Sequence, residues 1–321
     1  MELFKRVRIL NFMEYSKWGL GASCVVLLLC LALIIFKGFN LGVDFAGGSV
    51  AQVRFEKKAP LAQIREVFAK AHLNGVQVSA FGSDQEVVIK IPVGKQEIKD
   101  LGSQITEILA PLGKFEIRKL DSVGPKVGDE LKQRGILSLV LAIVAMMLYV
   151  SFRYEWRFAL ASVLALVHDS LITATSAIVF NIDLNLEVIA AVLTLIGYSI
   201  NDTIIIFDRI REKMLAGRSN DLNFVINEAI SSTLTRTLLT SLTVFFVLLV
   251  LYLFGSRILI GFSLPMLIGT IVGTYSSIFL APRIAVLLGF DLAKYHDNEL
   301  KKAKRKQEKE RLRRLYEHGR V

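Results

Sequence analysis

Apolar residues along this chain gather into blocks long enough to cross a bilayer. A helix needs about 20 of them to span the hydrocarbon core. Six stretches qualify, at roughly 18–36, 135–151, 158–180, 186–207, 236–254 and 258–288. The last is long enough to split or to run past the membrane. Between the first two blocks the pattern changes. Ser49 to Phe55 and Val76 to Phe81 alternate as strands do, Val87 to Ile91 is a short apolar run, and Phe115 to Leu120 reads as a last strand. Leu61, Ile64, Val67, Phe68 and Ala71 recur at helical spacing after Pro60, as do Ile98, Leu101, Ile105, Ile108, Leu109 and Leu112. With a hairpin turn at Gly82-Ser83-Asp84, the order β-α-β-β-α-β predicts a ferredoxin-like sheet with both helices on one face.

Composition agrees with the pattern. The chain has 321 residues, is 53% hydrophobic, and has a mean hydropathy of +0.50. A soluble domain is rarely so apolar, so the fold class expected is a polytopic α-helical membrane protein with six transmembrane helices and one α+β ferredoxin-like extracytoplasmic domain. The expected divisions are 1–36 (N-terminus and first span), 37–134 (external domain), 135–288 (remaining spans, with an amphipathic segment at 208–235) and 289–321 (basic tail). The first block is longer than a signal-peptide core and Phe36-Lys37-Gly38 offers no cleavage site, so it reads as a retained anchor.

The net charge of +10 would fit a nucleic-acid binder, but its location decides otherwise. From Lys294 to Val321, eleven Lys/Arg stand against five Asp/Glu. Lys and Arg are also frequent in 1–17, 152–157, 208–235 and the tail, whereas 181–185 has none and 255–257 has one. With six crossings all the rich segments fall on one side, which places both termini in the cytoplasm and 37–134 outside. Near Phe224, Val225, Ala229 and Leu234 the 208–235 segment reads as a helix, capped by Asp221, at the membrane interface. The tail from Glu299 reads as a basic helix or arm against anionic lipid.

Candidate chemistry lies inside the apolar blocks. His168 and Asp169 fall in the third, Asp202 with Asn201 in the fourth, and Arg236 at the start of the fifth. An ionisable side chain in a bilayer is costly and is by default functional, with a partner to be found. Thr194, Tyr198 and Asp202 share one helix face, Asp169, Thr173 and Ser176 another, and Arg236, Thr240 and Thr243 a third. Three polar stripes imply a hydrated interior path. If the fifth helix begins near Asn227, Arg236 lies at the depth of Asp202, where its charge favours the ionised carboxylate. Without that partner, desolvation favours the neutral acid, which is what a proton carrier needs. His168 and Asp169 are either relay or structural hydrogen bonding.

Gly42, Asp44, Gly47 and Gly48 mark the entry to the external domain, and Gly124 and Pro125 its exit, as turns and a possible hinge. Phosphate binding at the entry is not expected, because no helix start follows Asp44. A small-residue face in the sixth block (Gly261, Pro265, Gly269, Gly273, Ser277) permits close helix packing. Cys24 and Cys30 point to different helix faces, and no metal spacing, cofactor motif or nucleophile–base pair is present, so no enzyme, metal or cofactor is expected.

Several motifs together resemble the SecF family of bacterial protein-export subunits, within the RND superfamily. They are Gly42-Val43-Asp44-Phe45-Ala46-Gly47-Gly48, Val123-Gly124-Pro125, His168-Asp169, Ile196 through Thr203, Phe207 through Glu212, and Leu234 through Ser241. The resemblance implies an RND-type six-helix half-bundle paired with SecD, which supplies six similar helices and a larger external domain. It implies use of the proton-motive force, with protons as the coupling ion, to draw preproteins from the SecYEG channel after SecA has driven them in with ATP. It also implies an accessory partner of the YidC/YajC type, the bacterial inner membrane, and a proton path through Asp202 and Arg236 completed by a carboxylate of SecD.

Two other readings compete. An RND-type proton-coupled exporter of small hydrophobic molecules or lipids would share the Asp-bearing helix, but an external domain of about 95 residues leaves little room for a substrate pocket. An intramembrane aspartyl protease would use Asp169 and Asp202 as a dyad, but Asp202 follows Ser199-Ile200-Asn201 rather than Gly-x-Gly.

Overall fold

The computed structural model describes residues 9–71, 73, 75–92, 101–216, 219, 221–256, 259–290, 305 and 307–313. Helix α1 (Phe12–Phe36) leads through a single turn, α2 (Val43–Ala46), into a four-stranded unit. That unit comprises β1 (Gly48–Phe55), α3 (Leu61–Lys70), β2 (Gln77–Phe81), β3 (Ser83–Pro92), α4 (Leu101–Leu109) and β4 (Phe115–Val123). Five more long segments follow: α5 (Pro125–Arg153), α6 (Trp156–Val179), α7 (Leu186–Leu215), α8 (Leu222–Phe254), and α9 (Ile260–Tyr275) continued by α10 (Ala281–Leu287). Six of these helical segments are long and apolar enough to cross a membrane.

The sheet is antiparallel, in the order β2-β3-β1-β4. Alternation decides which face is covered. Ala51, Val53 and Phe55 of β1 and Val87, Ile89 and Ile91 of β3 point to one side. Ile64 and Phe68 of α3 and Leu101, Ile105 and Leu109 of α4 close over them. The opposite face is polar, with Glu86 between Arg54 and Arg118. Ile98, expected to begin the second helix, lies outside the described residues, as do 291–304 of the basic tail.

The spanning helices form two classes. Windows of α6, α7 and α9 are 50–56% buried, whereas those of α1, α5 and α8 are 17% buried or less. The inner three carry the buried ionisable side chains His168, Asp169 and Asp202, being the best shielded from lipid. The outer three present apolar side chains such as Leu28, Leu141 and Val247.

Two segments differ from the sequence expectation. Residues 222–254 form one helix, so the stretch expected at the interface is continuous with the fifth span, while α7 runs on to Leu215 as the helical pattern of Asp208 to Leu215 implies. Val225 and Ala229 are buried in a cluster with Phe158, Phe207 and Met214 instead of lying at the lipid interface. Asp221 is the N-cap, accepting from Asn223 N at 2.9 Å. The last crossing does not split, but it widens to a π-helical turn at Ser276–Leu280. Pro282 follows in the first turn of α10. It has no N–H and its ring would meet the carbonyl four residues back, at Ile278, and a wide turn relieves both.

Candidate functional site

The carboxylate of Asp169, on α6, is wholly buried and completely engaged. Its Oδ2 accepts from Ser199 Oγ of α7 at 2.7 Å and from Ser276 Oγ of the π turn at 2.6 Å. Its Oδ1 is 2.8 Å from His168 Nδ1. Gly273 makes this convergence possible, since a Cβ there would lie 3.2 Å from Ser199 Oγ and 3.6 Å from Asp169 Oδ2. Gly269, one turn earlier, presses on Thr173 and Leu195 in the same way. The small-residue stripe is thus architecture, as its spacing predicts, and it brings α9 against the polar centre.

Asp202, on α7, is 1% exposed, yet its environment is sparser. Ser241 Oγ of α8 lies a long 3.3 Å from its Oδ2, and Thr240 of the same helix also faces the carboxylate. Ser241 in turn accepts from Thr274 Oγ1 of α9 at 2.7 Å. Three helices therefore meet at this second carboxylate too, through a two-hydroxyl chain. Charged hydrogen bonds are ordinarily shorter than 3 Å, so Asp202 is the less firmly held of the two acids. The two share no hydrogen bond with one another, each facing its own hydroxyls. A dyad sharing one proton, the chemistry of an aspartyl protease, is not built here.

The expected Asp202–Arg236 pair is absent. Both residues are described, no ion pair joins them, and Arg236 is exposed on the outside of α8. Its charge still lies within electrostatic reach of the carboxylate. Asn201 is also exposed, turned away from Asp202 by the helical rotation of one residue. It lines a groove of about 600 Å³ with Ala145, Met146, Tyr149, Tyr198 and Ile204. The polar stripes are less continuous than expected. The hydroxyls of Thr194 and Thr243 bond carbonyls of their own helices, while those of Thr173 and Tyr198 are buried without a partner. The direct partners Ser199, Ser241 and Ser276, and Thr274 behind Ser241, were not singled out by sequence, because hydroxyl residues in apolar helices are common and nothing in their spacing tells which faces a carboxylate.

At the sheet end of the bundle, the entry residues also gather. Gly42 precedes α2, which is a helical turn where none was expected. Asp44 Oδ2 accepts from Leu186 N, the first residue of α7, at 3.1 Å. Gly47 and Gly48 have φ of +76° and +139°. Gly124 is the N-cap of α5 and Pro125 its first residue. Among the described residues, no three of His, Cys, Asp and Glu gather as a metal ion would require.

Comparison with known proteins bears on these arrangements. The family model "Protein export membrane protein SecD/SecF, C-terminal" matches residues 104–291, and "SecD/SecF GG Motif" matches 32–59. The chain is 65% identical over 323 residues to protein translocase subunit SecF of Helicobacter pylori strain J99, covering 100% of both. It is 37% identical over 286 residues to protein translocase subunit SecF of Escherichia coli O157:H7, covering 88% of each. Among solved structures it resembles SecDF, a translocon-associated membrane protein from Thermus thermophilus, with TM-score 0.80 and 30% identity. That match covers 90% of this chain and 40% of the SecDF chain, so the chain spans less than half of SecDF. SecDF in its super-membrane-facing form matches with TM-score 0.67 and 29% identity.

Proposed function

The chain belongs to the SecF branch of the SecD/SecF protein-export membrane family, and we propose that with a SecD-type partner it uses proton movement through Asp202 to drive late steps of preprotein translocation. The observation that carries the proton role is the state of that carboxylate. Asp202 is 1% exposed within a membrane-spanning helix and holds a 3.3 Å hydroxyl bond in place of an ion pair. Such a group is costly unless its charge can change. Asp169, saturated by three partners, acts with His168 as a brace that holds α6, α7 and the last crossing around it.

Arg236 and Asn201 face outward, and a SecD-type helix laid along α5, α7 and α8 would cover both. This supports a path whose second wall belongs to the partner, with Arg236 drawn closer to Asp202 in the assembled pair. Protons are the coupling ion in this reading, and no bound cofactor is invoked. The element order and the β2-β3-β1-β4 sheet support a ferredoxin-like domain. The distribution of Lys and Arg supports its placement outside the bacterial inner membrane with both termini in the cytoplasm. SecYEG, a YidC/YajC-type accessory protein, the moving preprotein and anionic lipid at the basic tail complete the proposed partners.

The test is Asp202→Asn in inner-membrane vesicles carrying the complete complex. Loss of proton-driven late export, with partner assembly intact, is the expected result. Export at the normal proton-driven rate would rule the carrier role out.

A further inference from the structure

The short turn between α6 and α7 is gripped from three parts of the chain. Lys37 Nζ, just past α1, donates to Ile178 O at 2.9 Å and to Asn181 Oδ1 at 2.8 Å. The entry segment then runs beside the turn. Leu184 N donates to Asn40 O at 2.7 Å and Gly42 N to Leu184 O at 2.9 Å. The contact is so close that a Cβ on Gly42 would fall 1.4 Å from Asn185 Oδ1. From the sheet itself, Lys90 of β3 reaches down to Asp183, Nζ to Oδ2 2.7 Å, with both side chains largely shielded from solvent. The exit joins the same knot, since Gly128 in the first turns of α5 packs on the backbone of α2, where a Cβ would be 3.0 Å from Phe45 O.

The clasp ends on the helix that matters. Asn185, the N-cap of α7, makes no side-chain cap bond, and Asp44 supplies the missing acceptor to Leu186 N from 142 residues away. A carboxylate at a helix N-terminus satisfies an orphan N–H and meets the positive end of the helix dipole. Asp202 lies 16 residues further along the same unbroken helix, about 24 Å at 1.5 Å per residue. A rigid rod therefore joins the clasp to the buried carboxylate.

We propose that Asp44, Lys90 and Asp183 are positioning residues that tie the sheet unit to α7, so that a change of charge at Asp202 moves the sheet unit through the α6–α7 turn. This rests on the proton-coupled reading above. The three residues act through the helix and take no part in carrying the proton.

The test uses the complete complex in membranes, in a background lacking Cys24 and Cys30. Spin labels at Ser79→Cys on β2 and Phe254→Cys at the end of α8, both exposed, report the distance between sheet unit and bundle. With the clasp intact, Asp202→Asn is expected to shift that distance. Asp44→Ala with Lys90→Ala is expected to abolish the shift and the proton-driven part of export, while partner assembly persists. Exchanging the pair, Lys90→Asp with Asp183→Lys, is expected to restore both when Asp44 is intact, and Asp44→Asn, which keeps an acceptor, to preserve them. A shift that survives the double alanine change, or a charge exchange that restores nothing, overturns the clasp. Asp202→Asn with undiminished proton-driven export and an unmoved distance is a separate result that overturns the proton-coupled reading itself.

Discussion

Ser276 Oγ donates to Asp169 Oδ2 across 2.6 Å, joining the π turn of the last crossing to the middle of α6. Ser199 approaches the same oxygen from α7 at 2.7 Å. One carboxylate oxygen thus closes three helices on each other. This geometry separates a brace from a carrier by substitution. An amide can replace the acid here: its oxygen takes both serines, and its NH₂ faces His168 Nδ1, which accepts in the neutral ring. Asp169→Asn is therefore expected to retain proton-driven export, whereas Asp202→Asn loses it. Asp169→Ala leaves Ser199 and His168 unpaired in a medium without water, at about 1–3 kcal/mol for each stranded group, while Ser276 keeps its 3.1 Å bond to Gly273 O. Thermal unfolding of the purified complex should show a large loss for alanine and a small one for asparagine. Equal export losses for Asp169→Asn and Asp202→Asn would make Asp169 a carrier as well.

Ser241 has a different weight. Its 3.3 Å bond to Asp202 is long, and its hydroxyl is also tied to Thr274. A net hydrogen bond is worth about 1 kcal/mol, or about fivefold in a rate or an equilibrium. Ser241→Ala is expected to slow proton-driven export by about that factor, well short of the loss in Asp202→Asn. Thr274→Val acts through the same chain, so combining it with Ser241→Ala should add little to the single change. Rates in vesicles for the two single variants and the pair check this.

The bundle was legible because its apolar residues come in span-length blocks, and the sheet because Ala51, Val53 and Phe55 alternate with Val50, Gln52 and Arg54. The polar centre was legible only in its ionisable members. Arg236 drew the pairing with Asp202 because charge is conspicuous in a membrane sequence, yet a hydroxyl on the inner face of the same helix is the direct partner. The bond from Asp44 to Leu186 had no signal, since 142 residues separate its ends and either could be satisfied by water. Nothing in Ser276–Leu280 marks a π turn beyond the nearby Pro282.

Arg236 offers a test of function against simple anchoring. It is exposed and makes no ion pair with Asp202, so truncating it strands no buried group. Arg236→Ala is expected to leave the unfolding temperature of the isolated chain nearly unchanged, within about 0.5 kcal/mol of stability. In the complete complex the same change is expected to cut proton-driven export strongly, with Arg236→Lys retaining more activity through its charge. An arginine that only snorkels to the interface would give two unaffected readouts.

The entry and exit of the sheet unit both carry glycine, but for different reasons, and alanine should tell them apart. Gly48 has φ +139°, and a Cβ there would lie 2.5 Å from the carbonyl oxygen of Ile91, a backbone atom that cannot swing aside. Gly48→Ala thus combines a disfavoured φ with a backbone clash where β1 pairs with β3, for a cost of about 2–3 kcal/mol. Gly124 has φ −68°, and a Cβ added there would meet nothing within 4 Å. Gly124→Ala should be close to neutral, the gain through the unfolded chain offset by alanine's poorer fit at an N-cap. Limited proteolysis of the sheet unit in the assembled complex would register the difference. Gly48→Ala should open it to cleavage and Gly124→Ala should not, whereas a hinge working at Gly124 would instead lose export in Gly124→Ala with the sheet unit still protected.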